Sequence, residues 1–233
     1  MKLLGIIGGT GPETTIEYYR MLQSTFQSKI TDGNYPRVLI NSINLKTVVD
    51  LITAGELVEV TEFLLEEIQR LASAKADFGL IAANTPHIVF DDLKRRSPIP
   101  LISIVEATCD AVKVAGLKKV ALLGTRFTMQ GKFYRSVFEP NGISLATPNA
   151  SDQDFIHDRY MNELLKNIIL PETHSRLLKI VDQMKKTENI EGVLLAGTEL
   201  SLILKEESHK GIRFFDTAKI HVDAAIAEML KPS

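Results

Sequence analysis

Leu3-Leu4-Gly5-Ile6-Ile7-Gly8-Gly9-Thr10-Gly11 carries an apolar run straight into a cluster of glycines. The run Leu3–Gly8 has no polar face, so it reads as a strand buried on both sides that ends in small residues. The same rhythm recurs along the chain. Val38–Ser42, Phe78–Ala83, Leu101–Ile104, Val120–Gly124, Ile143–Ala146, Val193–Ala196 and Ile212–Phe215 read as further strands. Longer segments of helical period separate them. Glu56–Ala74 places Leu57, Val60, Leu64, Leu65, Ile68 and Leu71 on one face. Doubly apolar strands alternating with helices specify an α/β fold whose parallel sheets are covered on both sides.

An internal echo points to two similar halves. Gly9-Thr10 ends the first strand and Gly124-Thr125 ends a later one. Ala82-Ala83-Asn84-Thr85 ends a third, and Ala196-Gly197-Thr198-Glu199 ends its counterpart at nearly the same offset. The expected architecture is two Rossmann-like parallel-sheet halves related by a pseudo-twofold axis, with a cleft between them. The first half is expected over residues 1–100 and the second over 101–216, with helix 217–233 packing back onto the first.

The bulk composition excludes several classes of partner. At 233 residues the chain can bury a sizeable core without staples, and 45% hydrophobic and 24% charged residues are ordinary for a globular protein. A formal net charge of −2 gives no reason to expect nucleic acid or an anionic membrane. No stretch approaches the roughly 20 apolar residues of a membrane helix. The opening run is too short for a secretory leader. The single cysteine, Cys109, excludes an intrachain disulfide and a thiolate metal cluster. A reducing cytoplasm fits these observations.

In open parallel sheets, ligands bind beyond the carboxyl ends of the strands. Small residues there let backbone N–H groups approach a ligand, and the following helix N-termini favour an anion. Four such ends carry hydroxyl or amide side chains: Gly8-Gly9-Thr10-Gly11, Asn84-Thr85, Gly124-Thr125 and Thr198-Glu199. Together they suit a small carboxylate. A dinucleotide loop of the G-x-G-x-x-G type would need a third glycine where Glu13 or Thr14 stands. The chain also lacks G-x-x-x-x-G-K-[ST], G-x-S-x-G and H-E-x-x-H, the marks of phosphate loops, serine hydrolases and zinc proteases.

At these residues the chain resembles the aspartate/glutamate racemase family over its full length. Gly8-Gly9-Thr10-Gly11-Pro12-Glu13 with Tyr18-Tyr19 resembles that family's opening strand and helix. Ala83-Asn84-Thr85-Pro86-His87 is similar to its first catalytic block, Cys-Asn-Thr-X-His. Leu123-Gly124-Thr125-Arg126-Phe127-Thr128-Met129 resembles the opening of the second half. Ala196-Gly197-Thr198-Glu199-Leu200 is similar to the second block, Gly-Cys-Thr-Glu-Leu, and Asp216-Thr217 with His221 to the closing segment. The resemblance implies cofactor-free removal and return of an amino acid's α-proton by two cysteines acting from opposite sides. It also implies a homodimer. Here the two cysteine positions hold Ala83 and Gly197, neither of which can carry a proton. Cys109 lies mid-segment in Glu106–Val114 and reads as a small buried hydrophobe.

Other groups at these blocks keep some chemistry. His87 is expected at the start of the helix after the first block, as a base, a cap or an orienting group. Glu199 is expected at another helix start, as a catalytic carboxylate or as one simply stabilised by the helix dipole. Gly9, Thr10, Asn84, Thr85, Thr125 and Thr198 are expected to bind substrate, the threonines as carboxylate donors. The family places a basic residue soon after the second strand, where Lys46 stands as a carboxylate partner or a solvated surface lysine. A second family lysine lies on the helix after Thr147-Pro148-Asn149. Lys166 is close but off by one, and one residue swings a helical side chain by about 100°. Lys205–Lys210 reads as an exposed loop. His157, His174 and His209 show no metal-ligand spacing.

The expected function is therefore racemase-like binding of a small acidic amino acid or related carboxylate, without cofactor, metal, nucleic acid or membrane. Proton transfer would fall to non-cysteine groups or to bound water. The alternative is a catalytically silent relative that kept the carboxylate site. A different isomerase or lyase of the same superfamily, for which one thiol often suffices, is disfavoured because neither position holds one.

Overall fold

A computed structural model describes residues 1–232, except for the side chain of Pro12. Among the described residues nine strands form two sheets: β1 Leu4–Gly8, β2 Val38–Ser42, β3 Phe78–Ile81, β4 Leu101–Ile102, β5 Lys119–Gly124, β6 Ser144–Ala146, β7 Gly192–Ala196, β8 Ser208–His209 and β9 Ile212–Asp216. The first sheet has the order β2-β1-β3-β4 and is parallel throughout. The second has the order β6-β5-β7-β9-β8, with only β8 antiparallel to its neighbour. The first four strands of each order follow one pattern, which is how a duplicated half would be wired. The α-helices are α1 Pro12–Lys29, α2 Leu45–Ala54, α3 Leu57–Ser73, α4 Phe90–Arg96, α5 Ile104–Val114 and α6 Arg126–Gln130. They continue with α7 Phe133–Phe138, α8 Ala150–Asn162, α9 Pro171–Glu188, α10 Leu200–Ile203 and α11 Thr217–Met229. None of the described helices is long and apolar enough to cross a membrane.

The chain divides into two compact units, Met1–Ile104 with Ala218–Ser233, and Val105–Thr217. In the first unit every residue of β1 and β3 is buried, while the edge strand β2 is half-covered. Leu4, Ile6, Phe78 and Leu80 pack with Tyr18, Leu22 and Phe26 of α1. Ala218, Val222, Ala225, Ile226 and Met229 of α11 complete that core. The expected helix 217–233 thus ends at Met229, and its last expected residue, Ser233, lies outside the described residues. In α3, Val60, Leu64, Ile68 and Leu71 are the buried stripe, joined by Glu67, whose carboxylate takes bonds from Asn41 and Arg70. Asn44 caps α2 by accepting from the Lys46 N–H at 3.0 Å. Gly55 ends that helix at a φ of 80°, a left-handed turn that suits glycine.

The second unit packs Ala121, Leu123, Val193 and Leu195 of its sheet against Ile156 and Tyr160 of α8 and Leu164 just beyond it. Leu177, Ile180, Val181 and Met184 of α9 join the same core. Two strand expectations and one loop expectation are corrected. β3 stops at Ile81 because the Ala83 N–H turns back onto the Ile81 carbonyl at 2.8 Å. β4 stops at Ile102, since Ile104 already begins α5. Lys205–Lys210 is not wholly loop. Ser208–His209 pairs with β9, and Asp182 holds both the His209 ring at 3.0 Å and Lys210 at 2.6 Å.

Ile226 is fully buried on α11, so Ile226→Ala is expected to cost about 2–5 kcal/mol. Hydrogen exchange should then accelerate in β1 and β3 and leave β5 and β7 protected. Equal acceleration in both sheets would show that α11 is not specifically part of the first core.

Candidate active site

In the first unit, β1 and β3 are neighbours, and their carboxyl ends bring Gly9-Thr10 beside Ala82-Ala83. The Thr10 hydroxyl donates to the Ala82 carbonyl at 3.4 Å. Gly9 adopts a φ of 77°, and a Cβ there would stand 2.3 Å from the Ile43 carbonyl oxygen, so the turn admits no side chain. The Gly9 N–H is held by the Thr15 hydroxyl at 2.9 Å. Ala83 and Asn84 are buried, and Thr85, half-buried, opens a 3-10 turn, Thr85–Val89. The first block therefore lies at a strand end, as its sequence suggests.

His87 sits inside that turn, fully enclosed. Its Nδ1 donates to the Ala83 carbonyl at 2.9 Å, and its Nε2 accepts from the Ile104 N–H at 3.3 Å. Both ring nitrogens are thus engaged and the ring is neutral. Burial, with the nearby His221, pushes its pKa down to about 3. A face-to-face contact with Phe90, centroids 4.7 Å apart, fixes the ring plane. The arrangement suits the orienting role, since His87 holds the backbone of Ala83. His221 is built in the same way. The Tyr18 hydroxyl donates to its Nδ1 at 3.0 Å, and its Nε2 donates to the Ile102 carbonyl at 2.9 Å. Burial pushes its pKa down to about 4.

In the second unit, Gly124 and Ala196 are register partners, and the ends of β5 and β7 lie so close that a Cβ on Gly124 would stand 2.5 Å from the Ala196 carbonyl oxygen. Thr125 caps α6, accepting from the Thr128 N–H at 3.3 Å. Thr198 is buried and donates its hydroxyl to Glu199 at 2.9 Å. Glu199 is only 1% exposed and precedes α10, which has four residues. So short a helix has little dipole to offer, and the carboxylate rests instead on hydroxyl donors. One of them was not foreseen from the sequence: Tyr160 of α8 donates its hydroxyl to the same Glu199 oxygen. Burial and the Glu199 charge hold the Tyr160 phenol well above its usual range.

Both lysines are exposed. Lys46 lies in the first turn of α2 with its side chain 77% exposed and paired to Asp50 at 2.5 Å. Lys166 is exposed and is not on the helix that follows Asn149. That helix, α8, ends at Asn162, and Lys166 closes a separate 3-10 turn, Leu164–Lys166. Cys109 is buried in mid-α5, and burial raises its thiol pKa.

A family model described as Asp/Glu/Hydantoin racemase matches residues 7–225. The chain is 24% identical over 215 residues to the broad specificity amino-acid racemase RacX of Bacillus subtilis, with 87% of each chain covered. Among solved structures it is similar to a candidate Asp/Glu racemase from Yersinia pestis, at 29% identity and a TM-score of 0.89, covering 99% of this chain and 100% of that one. It is likewise similar to an aspartate racemase homologue from Pyrococcus horikoshii OT3, at 32% identity and a TM-score of 0.83, again covering 99% and 100%.

The two buried histidines make stability depend on acid. In the unfolded chain a histidine takes its proton near pH 6.5, but folded His87 and His221 do so only near 3 and 4. Their contribution is complete above about pH 6.5. It is lost as pH falls toward 4, at about 1.4 kcal/mol per pH unit for each ring. His87→Gln should therefore flatten the slope of unfolding free energy between pH 6 and 4.5 by about one proton. An unchanged slope would mean that His87 is not neutral in the fold.

Proposed function

The chain belongs to the Asp/Glu/Hydantoin racemase family, and from that premise we propose that it binds a small acidic amino acid or related carboxylate at the strand ends described above. The observation that carries the reading is the chemistry of those ends. Thr10, Asn84 and Thr85 follow β1 and β3 in the first unit, and Thr125 and Thr198 follow β5 and β7 in the second, so within each unit hydroxyl or amide groups stand at strand ends of the kind where ligands bind. The RacX relative is a broad specificity amino-acid racemase by name, which supports an amino-acid ligand here. Lys46, freed from Asp50, could supply a point charge to a distal carboxylate, and Lys166 has the weaker claim.

The two-thiol mechanism has no carriers here, because the corresponding positions hold Ala83 and Gly197 and Cys109 is buried elsewhere. Two further observations favour the reading in which the site binds without racemising. His87 has both nitrogens engaged with backbone, so it cannot take an α-proton without giving up a bond. Glu199 is enclosed by the hydroxyls of Thr198 and Tyr160.

Calorimetry with L- and D-aspartate and glutamate should find saturable binding of at least one, weakened about tenfold in Thr85→Val, the loss of one hydrogen bond to a charged group. The same acids incubated with the protein in heavy water should lose no α-proton signal beyond a protein-free control. Exchange above that control would establish a non-thiol proton carrier and overturn the silent reading. No binding of any of the four would overturn the acidic-amino-acid reading itself.

A further inference from the structure

Gly197 is a glycine for an unusual reason. Its backbone is not among the positive-φ glycines, so nothing in its own conformation forbids a side chain. Gly9, by contrast, has both a φ of 77° and backbone atoms in the way. At Gly197 the three nearest atoms to a Cβ all belong to one side chain. Tyr160 Cε2 would lie at 2.5 Å, with Cδ2 and Cζ at 3.3 Å. A separation of 2.5 Å is a hard overlap, so either the ring moves or position 197 stays bare.

The ring is not free to move. Tyr160 is 7% exposed and belongs to the core that Ile156, Leu164, Leu177 and Leu195 also form. Its hydroxyl is tied to Glu199, which is itself buried and shared with Thr198. Swinging the ring aside would strip a buried carboxylate of one donor, a loss larger than that of a bond between neutral groups.

We propose that Tyr160 sets the identity of position 197: its ring fills the volume a side chain there would need, and its bond to Glu199 keeps it in place. The second unit thereby excludes a thiol at this strand end. The proposal deepens the functional reading above and rests on it in one respect, that position 197 is where the family carries its second proton carrier. Ala83 already bears a Cβ, whereas a cysteine at 197 is admitted only if α8 changes as well. Tyr160 is in this sense a positioning residue, acting on Glu199 and on the space beside it.

The test is the thermal penalty of Gly197→Cys in three backgrounds: wild type, Tyr160→Phe and Tyr160→Ala. In the wild-type background the penalty should be large, several degrees in Tm. In Tyr160→Ala the penalty should vanish or reverse, because the thiol then fills space the ring has left. In Tyr160→Phe it should fall between, since the ring remains but its tether is gone. The new thiol's reaction with Ellman's reagent, read above the slow background from Cys109, should report a folded and accessible Cys in the Tyr160→Ala background. If Gly197→Cys does not fold in the wild-type background, Gly197→Ala gives the same comparison with a smaller group. Equal penalties in all three backgrounds, or none in the wild type, would overturn the proposal. A Phe background as intolerant as wild type would overturn the role given to the Glu199 bond. Failure of the wild-type protein to bind acidic amino acids would remove the functional reading while leaving this pattern of penalties as predicted.

Discussion

A strand buried on both faces has nowhere to display a polar group except its ends, and that constraint organises this protein. All residues of β1, β3 and β7 are buried, as are all but the first of β5. Helices cover both faces of the sheets, so the polar side chains that a ligand could meet are those just past the carboxyl ends. The sequence there changes abruptly from branched aliphatics to Gly, Ala, Thr and Asn. Gly9 and Gly124 show how tight these junctions are, since a Cβ at either would meet backbone oxygen well inside contact distance. The geometry of each junction is thereby fixed before any ligand is considered.

Fixing the backbone at these junctions takes buried polar groups, and the molecule uses them as braces. His87 clamps the Ala83 carbonyl to the start of α5, and His221 joins Tyr18 to Ile102. Each ring is satisfied at both nitrogens, which is why it tolerates complete burial. Thr217 does comparable work in the second unit, donating its hydroxyl to the Leu195 carbonyl at 2.8 Å. A histidine so placed is stable as a neutral crossbar and poor as a base, because taking a proton would cost its accepting nitrogen a buried bond and charge a fully enclosed ring.

Much of the fold was legible in the sequence because the signal is local. A doubly apolar run of four or five residues specifies a buried parallel strand with little help from elsewhere, and a stripe such as Val60, Leu64, Ile68 and Leu71 specifies a helix face. The two-residue strand β8 is too short to carry such a signal. The positions of Thr10, Asn84, Thr85, Thr125 and Thr198 at strand ends were legible for the same reason. Tyr160 was not. Ile156, Tyr160 and Leu164 recur every four residues, which reads as a core stripe, and all three do lie in the core. What the spacing cannot convey is that the Tyr160 hydroxyl reaches Glu199, 39 residues away along the chain. Lys166 shows the opposite failure, because its proximity to α8 in sequence hides a helix end at Asn162.

The two strand ends at Ala83 and Gly197 are therefore not alike. At 83 a methyl group stands at a buried junction held by His87, and a thiol there would add one heavy atom. At 197 there is no Cβ, and an aromatic ring bonded to a buried carboxylate occupies the place one would take. A single substitution suffices to describe the first position, but the second involves at least Gly197, Tyr160 and Glu199 together. Contacting residues of this kind are coupled, so their effects do not add. Once a ring has taken the space, replacing the glycine alone costs stability, and that cost holds the site in its thiol-free form.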